Sequence, residues 1–584
     1  MGIAASPGIA IGPVYLYARE QHTVDREAVA VEQVEAEVER FEGAIAKAER
    51  DLSKIIALTR EKLGEESATI FEAQLLMLRD QAVYQTVVET IRRDHCNAEY
   101  AVTAVMGRHR RLMEASSSEY LRERAYDLLD VEDRIIRHLR RGQILSAIDP
   151  HTIVVAQELT AADIILFSRR GIIGCVMGHG GPTSHVSIMA RALGVPTIVG
   201  VHGITEAVHP GDVLILDGIC GQVIANPGPV ALEQYRHRAW RYQRLQVEDK
   251  ALVQLPAETM DGHRVRLEAN LEFREELPLL KEYGADGIGL FRTEMALLMQ
   301  GKLSVSEDEQ FETFRQVVAA TAPQPTTLRV LDLGGDKLLP MAHREHNPFL
   351  GWRGIRLMLD KHDLLVPHLR AMLRASAFGP MRLLLPMVTT REEVQQFFDV
   401  LEEVKAALAA EGQPLLARVP VGIMVEVPAT ALMADQFAPL VDFFSIGTND
   451  LTQYLLAVDR GNDLVAHLYQ DLHPALLHLI RQVVEVARRH AIPVSLCGEL
   501  ATNPRAVPIL VGLGLDTLSA SPVYLPAMKR IIRSMRLTEG QALARAAVEA
   551  PDPQHVHTLL DQWLAEHGCA PLFFQQPAPG ERPR

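Results

Sequence analysis

No proline interrupts the chain between Pro13 and Pro150, although prolines recur through the remainder. Proline removes a backbone donor and clashes with the preceding helical turn, so a stretch this long without one is free to be helical. The apolar residues agree. Val31, Val34, Val38, Phe41, Ile45, Ala48, Leu52 and Ile55 follow alternating steps of three and four, a single stripe along one helix face. Amphipathic stretches at about 68–95, 97–124 and 127–142 extend the pattern and predict a helical module folded back on itself, over residues 21–144.

That module interrupts a segment of another kind. The strand-like run IAIGPVYLY (9–17) precedes it, and TIVVA (152–156), GCVMG (174–178), PTIVG (196–200) and VLILD (213–217) follow. Short β-rich runs mixed with helical patterns predict an α/β domain made of residues 1–20 and 145–227. A polar, helix-compatible stretch at 228–255 reads as a connector. Beyond it, VRLEAN (265–270), GIGLFRT (287–293), LRVLDL (328–333), MRLLLPMV (381–388), VPVGIMVE (419–426), DFFSIGTN (442–449), IPVSLCGE (492–499) and DTLSAS (516–521) alternate with helical patterns. Eight such units predict a (β/α)8 barrel over 256–570. The Pro-rich polar tail, 571–584, is expected to be disordered. The fold class is therefore multidomain α/β.

Composition narrows the partners. A net charge of −15 repels a phosphate backbone, so nucleic acid is not expected. No apolar run is long enough to span a membrane. Gly2 and Ser6 fit a loose myristoylation pattern, but no polybasic or second-lipid signal accompanies them. Cysteines at 96, 175, 220, 497 and 569 form no CxxC pair, which suits free thiols in a reducing cytoplasm.

In a (β/α)8 barrel the chemistry gathers at the C-terminal strand ends. Arg292 and Glu294, Asp332 with GGDK (334–337), Glu426, Asn449 and Asp450, and Cys497 and Glu499 all lie there, and Arg329, Arg353 and Arg460 are placed to reach the same face. Several arginines together suit a small, multiply anionic ligand, although structural ion pairing is the competing reading for each one. Glu426 and Asp450 are candidates to hold Mg²⁺ that keeps some of its waters. Cys497 is a buried small hydrophobe by default and an acid or nucleophile beside arginines and a metal.

The segment GHGGPTSHVSIMAR (178–191) is a second candidate. Gly180 and Gly181 permit a tight turn, Thr183 or Ser184 caps a helix, and His185 enters its first turn. The positive helix end disfavours protonated imidazole and favours an anion carried on it, which suits an attacking histidine and its phosphorylated product. The competing reading is a capped helix with an incidental histidine. His179 is a rival that lacks a helix end.

These residues carry a resemblance. GGPTSHVSIMAR resembles the phosphohistidine signature of phosphoenolpyruvate-utilising enzymes. SPGIAIG (6–12), DVEDRIIRHL (130–139), FRTE (291–294), LDLGGDK (331–337), NPFLGWRGIR (347–356), MVEVPA (424–429), DFFSIGTNDLTQYLLAVDRGN (442–462) and CGELA (497–501) resemble enzyme I of the bacterial sugar phosphotransferase system. The resemblance implies that phosphoenolpyruvate binds in the barrel with Mg²⁺ and that His185 takes its phosphoryl group, passing it to the phosphocarrier protein HPr docked on the helical module. It implies that Arg292, Arg329, Arg460 and Arg353 hold the substrate with Asn449 and Asp450, that Glu426 and Asp450 bind Mg²⁺, and that Cys497 protonates the enolate to pyruvate. A cytoplasmic homodimer joined through the barrels, and a swivel that lets His185 visit both partners, complete the expectation.

The chain departs from the pattern in two places. LTAADIILF (159–167) has Ile164 and Leu166 where relatives carry a hydroxyl and an amide, and FEAQLLML (71–78) has Gln74 where a histidine is common. Acidic Glu65, Glu66, Glu72 and Asp80 are candidates to face a basic carrier. Two other readings compete. A pyruvate phosphate dikinase or phosphoenolpyruvate synthase would need an ATP-binding region, whereas mostly proline-free helix precedes His185 with no Gly-rich phosphate loop. A catalytically silent regulatory scaffold is disfavoured by the intact His185, Glu426, Asp450 and Cys497.

Overall fold

The computed structural model describes residues 2–17, 26–63, 65–114, 119–139, 148–180, 185–294, 306–334, 345, 347–460, 462, 465 and 468–569. The tail at 571–584 lies outside them. The chain forms two compact units, Met1–Gln246 and Val247–Pro571. No helix among the described residues is long and apolar enough to cross a membrane.

The first unit contains a seven-stranded sheet. Its strands are β1 (Ile3–Ser6), β2 (Ile9–Tyr17), β3 (Ile153–Ala156), β4 (Gly174–Met177), β5 (Thr197–Val199), β6 (Val213–Asp217) and β7 (Gln222–Ala225), in the order β1-β5-β4-β3-β2-β6-β7. β2, β3, β4 and β5 pair in parallel, while β1, β6 and β7 add antiparallel edges. Both faces of β3 and β4 are buried. Val154, Ala156, Cys175 and Met177 join the core shared with the helices, and Ile153, Val155 and Val176 join a second core with Ala10, Leu214 and Leu216. Continuous apolar runs rather than alternation follow from this double coverage. β1 and β7 escape the sequence reading because each has four residues with few buried positions.

The inserted helices are α1 (Val34–Leu63), α2 (Glu65–Leu78), α3 (Gln81–Asp94), α4 (Ala98–Glu114) and α5 (Glu119–Leu139). The stripe on α1 packs inward as its spacing predicts: Phe41, Ala48, Leu52 and Ile55 are fully buried, and each large one contributes about 1.5–3 kcal/mol. Val31 is the exception, exposed in a 3-10 turn before the helix. The stretch expected as one helix at 68–95 is two, because Asp80 accepts hydrogen bonds from the amides of Ala82 and Val83 and starts α3. Asp80 uses Oδ1 in this cap and stays exposed, and Glu72 pairs with Arg60. The side chains of Glu65 and Glu66 lie outside the described residues. Gln74 is buried. After β3 comes α6 (Ala161–Arg169), opened by a capping box between Thr160 and Asp163. After β4 comes α7 (His185–Ala192), after β5 α8 (Ile204–Ala207), and after β7 the connector α9 (Pro229–Leu252).

The second unit is the barrel. β8 (Arg266–Leu271), β9 (Ile288–Arg292), β10 (Thr326–Arg329), β11 (Met381–Leu385), β12 (Val421–Val425), β13 (Phe443–Ile446), β14 (Val494–Leu496) and β15 (Thr517–Ala520) close in sequence order, all parallel. Side chains alternate across each strand. Leu383, Leu385, Ile423, Val425, Phe444, Ile446 and Leu518 therefore pack outward against the helices. Leu384, Met424, Phe443 and Cys497 cluster with Leu290 inside. The barrel is a packed core whose open chemistry is left to the strand ends.

Candidate active site

Alternation places the first site residue. Leu328 and Val330 belong to the outer core, so Arg329 between them turns into the barrel. There its Nη2 pairs with Glu294, and its Nη1 lies 3.2 Å from Asp332 Oδ2. Arg353 reaches the same acid from the segment after β10, donating through Nε to Oδ1 at 3.2 Å and through Nη2 to Oδ2 at 2.8 Å. Nη2 also lies 3.2 Å from Asp450 Oδ2, and Nη1 donates to the Tyr454 hydroxyl at 3.3 Å. Gly334 makes this approach possible. Its φ is +111°, and a Cβ there would come within 2.6 Å of Arg353 Cβ.

Glu426 follows β12, buried, and its Oε1 accepts the Met387 amide at 2.6 Å. Asp450 lies in the first turn of the helix Thr448–Leu456, and its Oδ1 is buried without a hydrogen bond among the described residues. Burial, and then the charges of Asp450 and Asp332, push Glu426 well above the ordinary carboxylate range. Burial opposes the charges of Arg329 and Arg353, but the surrounding carboxylates outweigh it and hold both above the ordinary arginine value. The two guanidiniums are therefore permanent cations in a site with an excess of buried carboxylate. Glu426 and Asp450, with one bare oxygen between them, fit a divalent cation that completes its shell with water and ligand oxygens. No group of three or more candidate metal ligands occurs among the described residues.

Cys497 lies just past β14, its thiol against the Ile446 carbonyl at 3.7 Å and its own carbonyl accepting from Asn270 at 2.9 Å. Burial pushes the thiol up to about 11. At neutral pH it is protonated, the form a proton donor needs.

The remaining predicted residues lie at the rim. Arg292 pairs with Glu272 and is partly exposed. The Asn449 side chain is engaged at both ends by Glu499, donating at 3.0 Å and accepting its amide at 2.6 Å. Arg460 comes no nearer than 4.0 Å to Asp450 and 3.9 Å to Glu499. The structure thus gathers Arg329, Arg353, Glu426 and Asp450 closely and leaves Arg292, Asn449 and Arg460 around them. Of GGDK, residues 335–337 lie outside the described residues.

Sequence reasoning placed Glu294 and Asp332 at strand ends and assigned them no task, and it passed over Tyr454 and the Met387 amide. Strand periodicity carried no signal for the Arg329–Asp332 pair, because a three-residue step puts side chains on opposite faces of a strand; the two meet because β10 ends at Arg329 and the chain leaves the strand there.

In the first unit, His185 is the first residue of α7, as expected. Gly180 has the positive φ, +113°, that a tight turn requires. Gly181, Thr183, Ser184 and the His185 side chain lie outside the described residues. The helix is anchored behind by Met189 and Ala190 in the core and by Arg191, which donates to the Ala5 carbonyl at 2.9 and 3.2 Å. His179 sits on the loop after β4, exposed, with Gln157 at 3.2 Å and Glu158 at 3.5 Å. Ile164 is fully buried in the core of the unit.

Residues 1–124 match the family described as PEP-utilising enzyme, N-terminal; residues 148–221 match its mobile domain; and residues 246–537 match its PEP-binding domain. The chain is 39% identical over 571 residues to a phosphoenolpyruvate-protein phosphotransferase of Haemophilus influenzae, covering 97% of this chain and 99% of the relative. It is 43% identical over 535 residues to a protein of the same name from Bacillus sp., covering 91% and 92%. A solution structure of an Enzyme I protein covers 41% of this chain and 98% of its own, with 36% identity and a TM-score of 0.37.

Proposed function

This chain belongs to the phosphoenolpyruvate-protein phosphotransferase family of PEP-utilising enzymes, and on that premise we propose how its residues divide the work. Phosphoenolpyruvate sits at the C-terminal mouth of the barrel. Arg329 and Arg353, buried and spaced by Asp332, take its phosphate and carboxylate, with Arg292 and Arg460 closing from the rim and Asn449 adding a hydrogen bond. Planar guanidinium donors suit both groups. Glu426 and Asp450 hold Mg²⁺, which supplies positive charge against the phosphate and enolate oxygens when bound.

The neutral imidazole of His185 attacks phosphorus. The bond from phosphorus to the enol oxygen breaks, and its electron pair leaves with the enolate. Cys497 gives its thiol proton to the enolate carbon to make pyruvate, and solvent restores the proton. The phosphoryl group then passes from His185 to HPr, docked on the helical module of residues 21–144, as the nitrogen–phosphorus bond breaks. Positioning and charge neutralisation do most of the work in such a transfer. Since one imidazole serves a barrel-bound donor and a separate acceptor, His185 has to reach each in turn. A homodimer joined through the barrels, in a reducing cytoplasm suited to five free thiols, completes the reading.

The observation that supports this reading best is the buried Arg329–Asp332–Arg353 array beside Glu426 and Asp450. Incubation of the purified protein with Mg²⁺ and radiolabelled phosphoenolpyruvate, beside γ- and β-labelled ATP, tests it. Acid-labile, base-stable label from phosphoenolpyruvate alone, lost in His185→Ala, is expected. Label from ATP would move the protein to the dikinase class, and no label in folded protein would favour a silent scaffold.

A further inference from the structure

We infer that Arg353 stands in for the divalent cation at Asp450 when no metal is bound, and has to release that carboxylate before metal and substrate occupy the site together. The inference rests on the assignment of Glu426 and Asp450 as metal ligands. Its structural basis is the placement of one nitrogen: Arg353 Nη2 lies 3.2 Å from Asp450 Oδ2 and 2.8 Å from Asp332 Oδ2.

The charge inventory explains the arrangement. Glu294, Asp332, Glu426 and Asp450 are all buried, and Arg329 and Arg353 are the buried cations that face them among the described residues. Arg329 is committed to Glu294 and Asp332. Arg353 is the buried cation that bridges to Asp450; the other oxygen, Oδ1, has no hydrogen bond among the described residues and has the partly exposed Arg460 Nη2 4.0 Å away.

Arg353 also has somewhere to stay after letting go. The two-pronged contact with Asp332, the Tyr454 hydroxyl and the Phe349 ring hold it without Asp450. A dication on Asp450 repels the guanidinium from that oxygen, and the freed Nη2 then faces an anionic ligand with an unused donor. Metal and anion therefore bind with reciprocal positive coupling.

Mn²⁺ alone, titrated into the full-length protein without phosphoenolpyruvate and followed by the electron paramagnetic resonance of the free ion, tests this. Arg353→Gln should bind Mn²⁺ about tenfold more tightly than the unmodified protein, the gain if the bridged form holds about nine-tenths of the metal-free population. Asp450→Asn should lose the site. Unchanged or weaker binding in Arg353→Gln, with binding lost in Asp450→Asn, overturns the inference and leaves the metal assignment standing. Normal binding in Asp450→Asn overturns the metal assignment, and the inference with it. Should Arg353→Gln fail to fold, Arg353→Lys keeps the charge without spanning both acids. Tighter Mn²⁺ binding in that variant supports the inference, and binding no tighter than normal overturns it.

Discussion

Asp332 holds the Arg353 guanidinium by two prongs at 3.2 and 2.8 Å, and its Oδ2 also lies 3.2 Å from Arg329 Nη1. One buried carboxylate thus spaces two buried arginines. Asp332→Asn removes the charge and leaves two guanidiniums partly uncompensated. Breaking a buried pair in this way costs about 3 kcal/mol or more. Denaturant unfolding should register that loss, and kcat/KM for phosphoenolpyruvate-dependent self-phosphorylation should fall ~100-fold, because the arginines lose their spacing.

Arg329 and Arg292 should respond differently to the same change. Lysine in place of Arg329 cannot meet Glu294 and Asp332 together, so Arg329→Lys should lower both stability and kcat/KM. Among the described residues Arg292 pairs with Glu272 alone, near the rim. Arg292→Lys should cost less than about 1 kcal/mol of stability while still weakening substrate use. Parallel melts and steady-state kinetics on the two variants separate these outcomes, and equal stability losses would contradict the placement described.

Gly334→Ala tests the close approach behind Arg353. The new Cβ would meet Arg353 Cβ at 2.6 Å and would sit at a φ that costs an L-residue about 1–2 kcal/mol. The expected result is a rise in KM for phosphoenolpyruvate with a modest drop in melting temperature. Unaltered kinetics would show that Arg353 tolerates displacement.

Cys497 should behave as a thiol throughout the neutral range. Burial raises it from 9.0 to about 11, so iodoacetamide at pH 8 should label Cys497 slowly in the native protein and fast after unfolding. Cys497→Ser should slow pyruvate formation by about 10²–10⁴ if the thiol is the proton donor. Because the folded value lies above the unfolded one, its contribution to stability is intact below about pH 9 and is lost as pH rises from there through about 11.

Glu132 on α5 offers a pH test in the first unit. It is buried, with Arg110 3.8 Å away, and burial raises it from 4.5 to about 7. The unfolded chain releases this proton first, so stability is intact below about pH 4.5 and falls as pH rises to about 7, by about 3 kcal/mol. Chemical unfolding of Glu132→Gln should lack this decline, and the variant should gain on the unmodified protein as pH rises from 5 to 8. Parallel profiles would place the titration elsewhere.

The barrel was readable because strand-like runs, the densest of them MRLLL, VGIMV and FFSI, recur between helical patterns, and the α1 stripe because a three-four spacing is the signature of one helix face. β1 and β7 were not, since four residues with few buried positions carry little pattern. The break between α2 and α3 hid behind continuing amphipathicity. It is set by Asp80, whose carboxylate the backbone recruits as a cap.

By itself, the sequence determined the barrel, the helical insertion, and which polar residues lie at strand ends, because strand periodicity and strand termini are local properties. Only the tertiary structure decided that Asp332 serves two arginines, that Asn449 is tied to Glu499, that Arg353 bridges to Asp450, and that Cys497 is buried enough to keep its proton. Those facts depend on which charges meet across separate strands and how far water is excluded, and both are set by closure of the barrel rather than by neighbours in the chain.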